Sequence, residues 1–348
     1  QSKFTGGRAF VDLFLVVISG GSSALMSCPI EGITLEDEIQ TTDVMLKSGA
    51  NIYEINAIRR HISAMNGGML AKRIQSVGAE LIGFGISDAV GTPATGNIGL
   101  PYEHYASTPM GPDKTTLEDA RRVIKDYHVA DRLPKRVVEY LMQAGPECET
   151  PKEFPENTYF LLNTLPDSCV YAKEIAESMG IPAFILTSFL EGESRDAGTF
   201  FASVAREIQA YGNPFPAPCV LLSSGEVTTR ILDNRLIAGH GGPSQELTAA
   251  FAILAAKTKG ACMLSIDSEG TDGTTPVAGG LTDSASLQRA LQKGVDLHAA
   301  LRGHSCYEAL KEINDTVFTG NTGTNLCDFN ILYVPAIENE NQRKGEFL

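Results

Sequence analysis

Residues 13–18, Leu-Phe-Leu-Val-Val-Ile, form a short unbroken apolar run that stops at Ser19-Gly20-Gly21-Ser22-Ser23, the pattern of a strand buried on both faces that empties into a glycine-rich loop. Thr34-Leu35-Glu36-Asp37 then carries the cap and acidic first turn of a helix, and Gly49 after Lys47-Ser48 reads as its C′ residue. A second helix is expected to place Ile52, Ile55, Ile58, Ile62 and Met65 on one apolar face, with Arg59 and Arg60 off that stripe. The alternation continues with a strand at 81–86, helices at 117–127 and 136–142, a strand at 159–162, and helices at 169–179 and 199–210 flanking a strand at 183–186. Further on come strands at 220–223 and 227–232, a helix after Gly242, a strand at 262–266, helices within 284–313 and a last strand at 330–334. Strand and helix in turn imply an α/β fold with a mainly parallel sheet and helices on both faces. Gly-Asn-Pro-Phe-Pro-Ala-Pro at 212–218 removes backbone donors and stiffens the chain, so a domain boundary is expected there, giving domains at 1–216 and 217–336 and a polar tail at 337–348.

Length supports that division, because 348 residues exceed what one hydrophobic core usually fills. With 43% hydrophobic and 20% charged residues the chain has the balance of a folded globular protein, which excludes disorder and fibrous repeats. A net charge of -14 repels a polyanion, so nucleic acid is not an expected partner and a phosphorylated substrate must meet locally gathered positive charge. No apolar run approaches the roughly 20 residues that cross a bilayer, and the first residues lack a leader pattern, so a cytoplasmic protein without membrane contact is expected. Seven cysteines without a CxxC pair suit reduced thiols, and six histidines without HxxxH spacing give no transition-metal signature.

Three glycine-rich turns and a basic cluster carry candidate chemistry. Ser19-Gly20-Gly21-Ser22-Ser23 follows a strand, where backbone N–H groups and hydroxyls can approach an anion, although a tight turn explains it equally. Gly239-His240-Gly241-Gly242-Pro243-Ser244-Gln245-Glu246 opens a helix and so presents free N–H groups at the positive end of a dipole. Thr319-Gly320-Asn321-Thr322-Gly323-Thr324-Asn325 is dense in small donors, and a surface hairpin would explain it too. Asp272 and Asp88 each follow a strand, where carboxylates can hold Mg²⁺ or accept a hydroxyl proton, or else solvate an ordinary turn. Arg59-Arg60-His61 with Lys72-Arg73 is the densest positive patch in an acidic chain, which favours an anionic ligand at Arg59 or Arg60.

In this order the segments resemble the type II glycerate kinases, the glycerate 2-kinase family with a C-terminal MOFRL domain. The likeness rests on Ser19 to Leu25, Glu31 to Asp37, Ser48-Gly49-Ala50, Glu54-Ile55-Asn56, Arg59 to Ser63, Gly67-Gly68 and Ser87-Asp88. It continues through Ser224 to Thr229, Gly241 to Glu246, Asp272-Gly273 and Thr319 to Asn325. The resemblance implies a Rossmann-like first domain, a smaller MOFRL-type α/β second domain and an interdomain cleft in which the ATP γ-phosphoryl group passes to the 2-hydroxyl of D-glycerate or a related hydroxy acid, with Mg²⁺. It implies catalytic roles for Arg59, Arg60 and Asp272, and substrate or phosphate contacts from Ser19, Gly20, Gly21, Ser22, Ser23, Asn56, Gly241, Gly242, Gln245, Glu246, Thr322, Gly323, Thr324 and Asn325. Asp88 and Asp272 are the metal candidates. The implied partners are a small hydroxy acid and a nucleotide, with a homodimer left open.

The sequence departs from that family where an N-terminal Gly-Lys loop is usual, and it has Ser22 for a glycine, Asn66 for a lysine and His240 and Pro243 for arginines. Glu269 and Pro276 replace aspartates, and Thr164-Leu165 replaces a Ser-Asn pair. Such changes leave room for a non-catalytic small-acid or nucleotide binder of the same fold. A hydroxypyruvate reductase ranks last, because the chain lacks GxGxxG.

Overall fold

The structure is a computed structural model that describes residues 3–5, 8–10, 12–92, 94–95, 109–154, 158–231 and 237–337, so the expected tail lies outside it beyond Ile337. The chain divides into two compact units, Gln1–Ser87 with Thr95–Leu162, and Asp88–Ala94 with Asn163–Leu348.

In the first unit β1 (Lys3–Thr5) and β2 (Arg8–Phe10) form a small ribbon, and β3 (Leu13–Ile18) runs into a single-turn α1 (Ser22–Leu25). Then come α2 (Leu35–Ser48), α3 (Ile52–His61), α4 (Met69–Ser76), β4 (Glu80–Ser87), α5 (Leu117–Asp126), α6 (Lys135–Gln143) and β5 (Thr158–Thr164). The sheet order is β3-β4-β5, with β3 and β4 parallel. Helices α2, α3 and α5 each begin at a capping box, Thr34 with Asp37, Asn51 with Glu54 and Thr116 with Asp119, which satisfies end donors that would otherwise be orphaned. Their apolar faces join α6 in a cluster that includes Met45, Ile55, Ile58, Ile62, Ile124 and Leu141.

Two expectations change here. Helix α3 ends at His61, with Met65 beyond it, and Ile52 is 54% exposed. At about 100° per residue Ile52 points off the side of the stripe that Ile55, Ile58 and Ile62 define. Strand β3 is not buried on both faces: Leu15 and Val17 are 63% and 72% exposed. It is an edge strand, and among the described residues the packing of Val16 and Ile18 with Ala71 and Ile74 of α4 covers one face.

The second unit contains α7 (Leu165–Ser178), β6 (Ala183–Glu193), α8 (Ser194–Tyr211), β7 (Cys219–Thr228), α9 (Pro243–Ala255) and β8 (Cys262–Asp267). It ends with β9 (Gly279–Asp283), α10 (Ser286–Gln292), α11 (Leu297–Arg302), α12 (Cys306–Glu312), β10 (Thr316–Val317) and β11 (Asp328–Val334). Its sheet runs β10-β9-β8-β11-β7-β6 and is mixed rather than mainly parallel. Among the described residues of this sheet only β6 and β7 pair in parallel, because the last strand, β11, inserts between β7 and β8 and runs opposite to both. The strands expected at 220–223 and 227–232 are one strand, β7, as far as Thr228; Gly225 keeps β6 close, since a Cβ there would collide with the Leu190 backbone.

The segment α7-β6-α8 belongs to this second unit, since β6 pairs with β7 and Gly198 of α8 lies against the Leu247 carbonyl of α9. The proline-rich stretch at 211–218 therefore turns α8 into β7 inside one unit. One face of the sheet grades along its strands. Leu221, Met263 and Leu332 face the apolar core formed with α8 and α9, whereas two residues on, Ser223, Ser265 and Asn330 stand in register, followed by Asp267 and Asp328. That polar end of the sheet holds the loops of Gly241, Asp272 and Thr322. Among the described residues no helix is long and apolar enough to cross a membrane.

Candidate active site

The polar end of the second unit's sheet is built around Asp328. At the start of β11 it stands in register with Gly225 of β7 and Asp267 of β8. Its Oδ2 accepts the Val227 amide at 2.9 Å, and its Oδ1 accepts the Ser244 hydroxyl at 3.2 Å. Burial pushes this carboxyl up to about 7 against the Val227 hydrogen bond, with the charges of Asp272 and Asp267 adding to the rise. Asp267 accepts the Glu269 amide at 3.0 Å and is pushed up to about 6, first by burial and then by Glu269 and Glu226. Glu226, an exposed residue, is also raised, by desolvation and by Asp88 and Glu191. The Cys327 thiol donates to the Asp88 carbonyl at 3.2 Å and is pushed up by burial and by Glu226, Asp88, Asp328 and Asp267. Asp328, Asp267 and Glu226 therefore lie in one acidic neighbourhood, where nearby negative charge adds to burial in raising each of them.

Oxygen donors of this kind suit a hard divalent cation. Among the described residues no three such side chains are arranged to hold a metal unaided. Mg²⁺ commonly takes one or two carboxylates, several waters and substrate phosphates, so the donor set fits it, and the negative charge that raises these carboxyls is what a cation would relieve.

Asp272 has a different place. It is 1% exposed, its Oδ1 accepts the Ser244 amide at 3.2 Å, and its Oδ2 accepts the Gln245 amide at 2.9 Å and Gln245 Nε2 at 2.8 Å. The N-terminal amides of α9, expected to meet a substrate phosphate, thus have an anion of the chain itself, with burial pushing that carboxyl up to about 6 despite these bonds. Gly242 permits the approach, since a Cβ would overlap the Asp272 carboxylate. Beyond Gln245, Glu246 is buried and bonded to His304 Nδ1 at 2.7 Å, with Arg195 at 3.7 Å. At the two departures from the family's arginines, His240 Nδ1 meets Glu308 at 2.8 Å and Pro243 forms the first turn of α9.

The loop from Thr319 to Asn325 folds back on itself. Gly323 and Cys327 amides donate to Asn321 and Asn325 side chains at 2.9 and 3.0 Å, and the Thr322 amide donates to the Glu269 carbonyl at 3.3 Å. Gly270 packs on the Gly320 carbonyl and Gly273 on the Gly241 carbonyl, so the loops of Gly241, Asp272 and Thr322 are neighbours.

In the first unit Ser19, Gly20 and Gly21 join β3 to α1, and the Ser22 amide donates to the Ser19 carbonyl at 3.3 Å. Gly21 has φ 78° and nothing within 4 Å of where a Cβ would be, so the loop is open to an approaching ligand. Arg59, in the last turn of α3, donates from Nη1 to Asn56 Oδ1 at 3.3 Å and from Nη2 to the Ser23 carbonyl at 3.4 Å. Its Nε is buried without an acceptor, and burial lowers the guanidinium's pKa against the counter-charge of Glu38. The adjacent Arg60 is engaged, its Nη1 donating to the buried Asp113 at 2.8 Å. Both arginines bury an Nε without an acceptor, but Arg60 is paired with a carboxylate whereas the hydrogen bonds of Arg59 are long ones to the neutral oxygens of Asn56 and Ser23.

Sequence reasoning passed over Asp267, Glu226 and Asp328. A carboxylate opening the otherwise apolar β11 was a usable signal for Asp328, and the last residue of a strand, rather than the loop after it, was the signal for Asp267. The buried His61, whose Nδ1 donates to the Ala57 carbonyl at 2.7 Å while Nε2 meets Glu149 at 2.7 Å, anchors the end of α3 beside Arg59.

Residues 219–328 match the MOFRL family, and residues 6–142 match a domain of unknown function, DUF4147. A glycerate 2-kinase of Pyrococcus horikoshii is 42% identical over 318 residues, which span 90% of this chain and 69% of the relative. A putative hydroxypyruvate reductase of Agrobacterium vitis is 34% identical, covering 93% of this chain and 80% of its own. The crystal structure of a glycerate kinase from Thermotoga maritima superposes with a TM-score of 0.79 at 33% identity, covering 93% of this chain and 73% of that one.

Proposed function

This chain belongs to the glycerate 2-kinase family with a MOFRL domain, and from that premise we propose that it moves the γ-phosphoryl group of ATP onto the 2-hydroxyl of D-glycerate, in the cytoplasm. In this reading Arg59 and the loop of Gly20, Gly21, Ser22 and Ser23 receive anionic oxygens, Asp88 and Glu226 hold Mg²⁺, and Asp267 accepts the hydroxyl proton. Kinship supports the reaction; the residue assignment is carried by Arg59, whose guanidinium makes only long hydrogen bonds to neutral oxygens while its neighbour Arg60 is paired with Asp113.

Phosphoryl transfer depends on positioning and on positive charge around the equatorial oxygens more than on covalent chemistry. Arg59 is a partly desolvated cation whose two hydrogen bonds, at 3.3 and 3.4 Å, are long, so an arriving oxygen anion competes for it on good terms. Backbone amides beside Gly21 can approach that oxygen because no side chain stands in the way. Bound Mg²⁺ supplies charge neutralisation at the phosphate oxygens. Asp267, with a carboxyl at about 6, is ionised at neutral pH yet basic enough to take a proton from the attacking hydroxyl. Asp272 and Gln245 fix the start of α9.

The nicotinamide alternative has no GxGxxG in the chain to support it. An assay coupled to ADP release, with D-glycerate, ATP and Mg²⁺, tests the proposal. Turnover should need the divalent cation, and Asp88→Asn should raise the Mg²⁺ concentration required. NADH oxidation with hydroxypyruvate and no ADP release would overturn it.

A further inference from the structure

The second unit carries a cavity of about 540 Å³ whose walls include Arg206, Glu207, Gln209 and Tyr211 of α8 and Lys257 and Lys259 of the turn after α9. It lies at the opposite end of β11 from Asp328, near where β11 leaves the sheet at Val334, and seven residues of strand separate the two ends by about 20 Å. We propose that this cavity is a second anion site, which binds a small phosphorylated molecule separately from the reaction centre.

Three cations face one carboxylate there, in a chain of net charge -14. The side chains of Arg206, Lys257 and Lys259 make no hydrogen bond or ion pair among the described residues. Glu207 is partly engaged, since it accepts from Asn213 at 3.2 Å. The C-terminus of α8 contributes about half a negative charge, so that terminus and Glu207 together balance fewer than two of the three cations. By contrast, Arg60 is answered by Asp113, and Arg289 by Asp315 and Asp283.

The walls are also held in place. Gln209 Nε2 donates to the Lys259 carbonyl at 2.8 Å, and its Oε1 accepts the Lys259 amide at 2.9 Å, which pins the lysine turn to α8 at a fixed distance from Arg206. Such a clamp reduces the ordering a ligand must impose. Tyr211 adds a ring that is 76% exposed, a surface on which the flat part of a ligand can rest.

Calorimetry with inorganic pyrophosphate tests this in the full chain, using an Arg59→Gln background so that the reaction centre is weakened independently. One equivalent should bind, more weakly as salt is raised. Each of Arg206→Ala, Lys257→Ala and Lys259→Ala should weaken it about five-fold, the equivalent of about 1 kcal/mol per charge at contact in water. All three residues are exposed, and an unchanged melting temperature without ligand verifies that each variant folds; Lys259→Gln gives a milder check. Pyrophosphate heat that is absent, or that none of the three substitutions alters, overturns the proposal. Neither result touches the kinase assignment, which is read from ADP release.

Discussion

Arg59 and Arg60 are adjacent in sequence and differ in what their charge does. Arg60 neutralises Asp113, which is buried and also accepts from Thr115 and Thr150 at 2.8 and 3.0 Å, so its charge is committed to the fold. Removing it leaves a buried carboxylate without its cation, and Arg60→Ala should lower stability by about 3 kcal/mol, read as a fall in the urea midpoint. Arg59→Gln should leave that midpoint close to wild type and instead lower kcat/KM by about a hundred-fold or more, the usual loss when one donor to a developing charge is removed. The reverse pattern would assign the anion-binding role to the wrong arginine.

At the scale of elements the decisive contact is between α9 and Asp272. Gly242→Ala puts a methyl group into the Asp272 carboxylate, so the helix start must shift, with an expected loss of about 1–3 kcal/mol by chemical denaturation. The glycine-proline signature of this helix start was legible in the sequence, and so was the strand-loop-helix passage at Ser19 to Ser23. What filled the α9 amides was not legible, because free N–H groups look the same in a sequence whether a ligand or a distant aspartate caps them. Pairing direction was equally hidden. Alternating strands and helices promised parallel neighbours, yet β11 runs antiparallel between β7 and β8, and it is this reversal that lines up Asp328 with Asp267. The apolar run of β3 was read correctly as a strand but not as an edge, since a strand's cover comes from elements far along the chain.

For the whole molecule the crowded carboxylates impose a pH dependence. A carboxyl raised in the folded state binds a proton that the unfolded chain has already lost, so stability falls as pH rises between the two pKa values. Asp328 at about 7, with Asp267 and Asp272 at about 6, places this decline between about pH 4 and pH 7. Glu149 acts in the opposite sense: burial alone would raise it, but hydrogen bonds from Lys152, the Leu117 amide and His61 hold it down to about 2, so its contribution is lost on acidification below about pH 4.5. Urea midpoints should therefore be higher at pH 5 than at pH 7.5, and Asp328→Asn should flatten the difference. The reaction itself offers the most direct test of all. Phosphorus NMR of the product formed from ATP and D-glycerate distinguishes an ester at the 2-position, whose phosphorus is split into a doublet by one neighbouring hydrogen, from one at the 3-position, split into a triplet by two. A doublet that appears as ADP accumulates is the predicted outcome; a triplet, or no ester from the folded chain with Mg²⁺ present, would contradict the account.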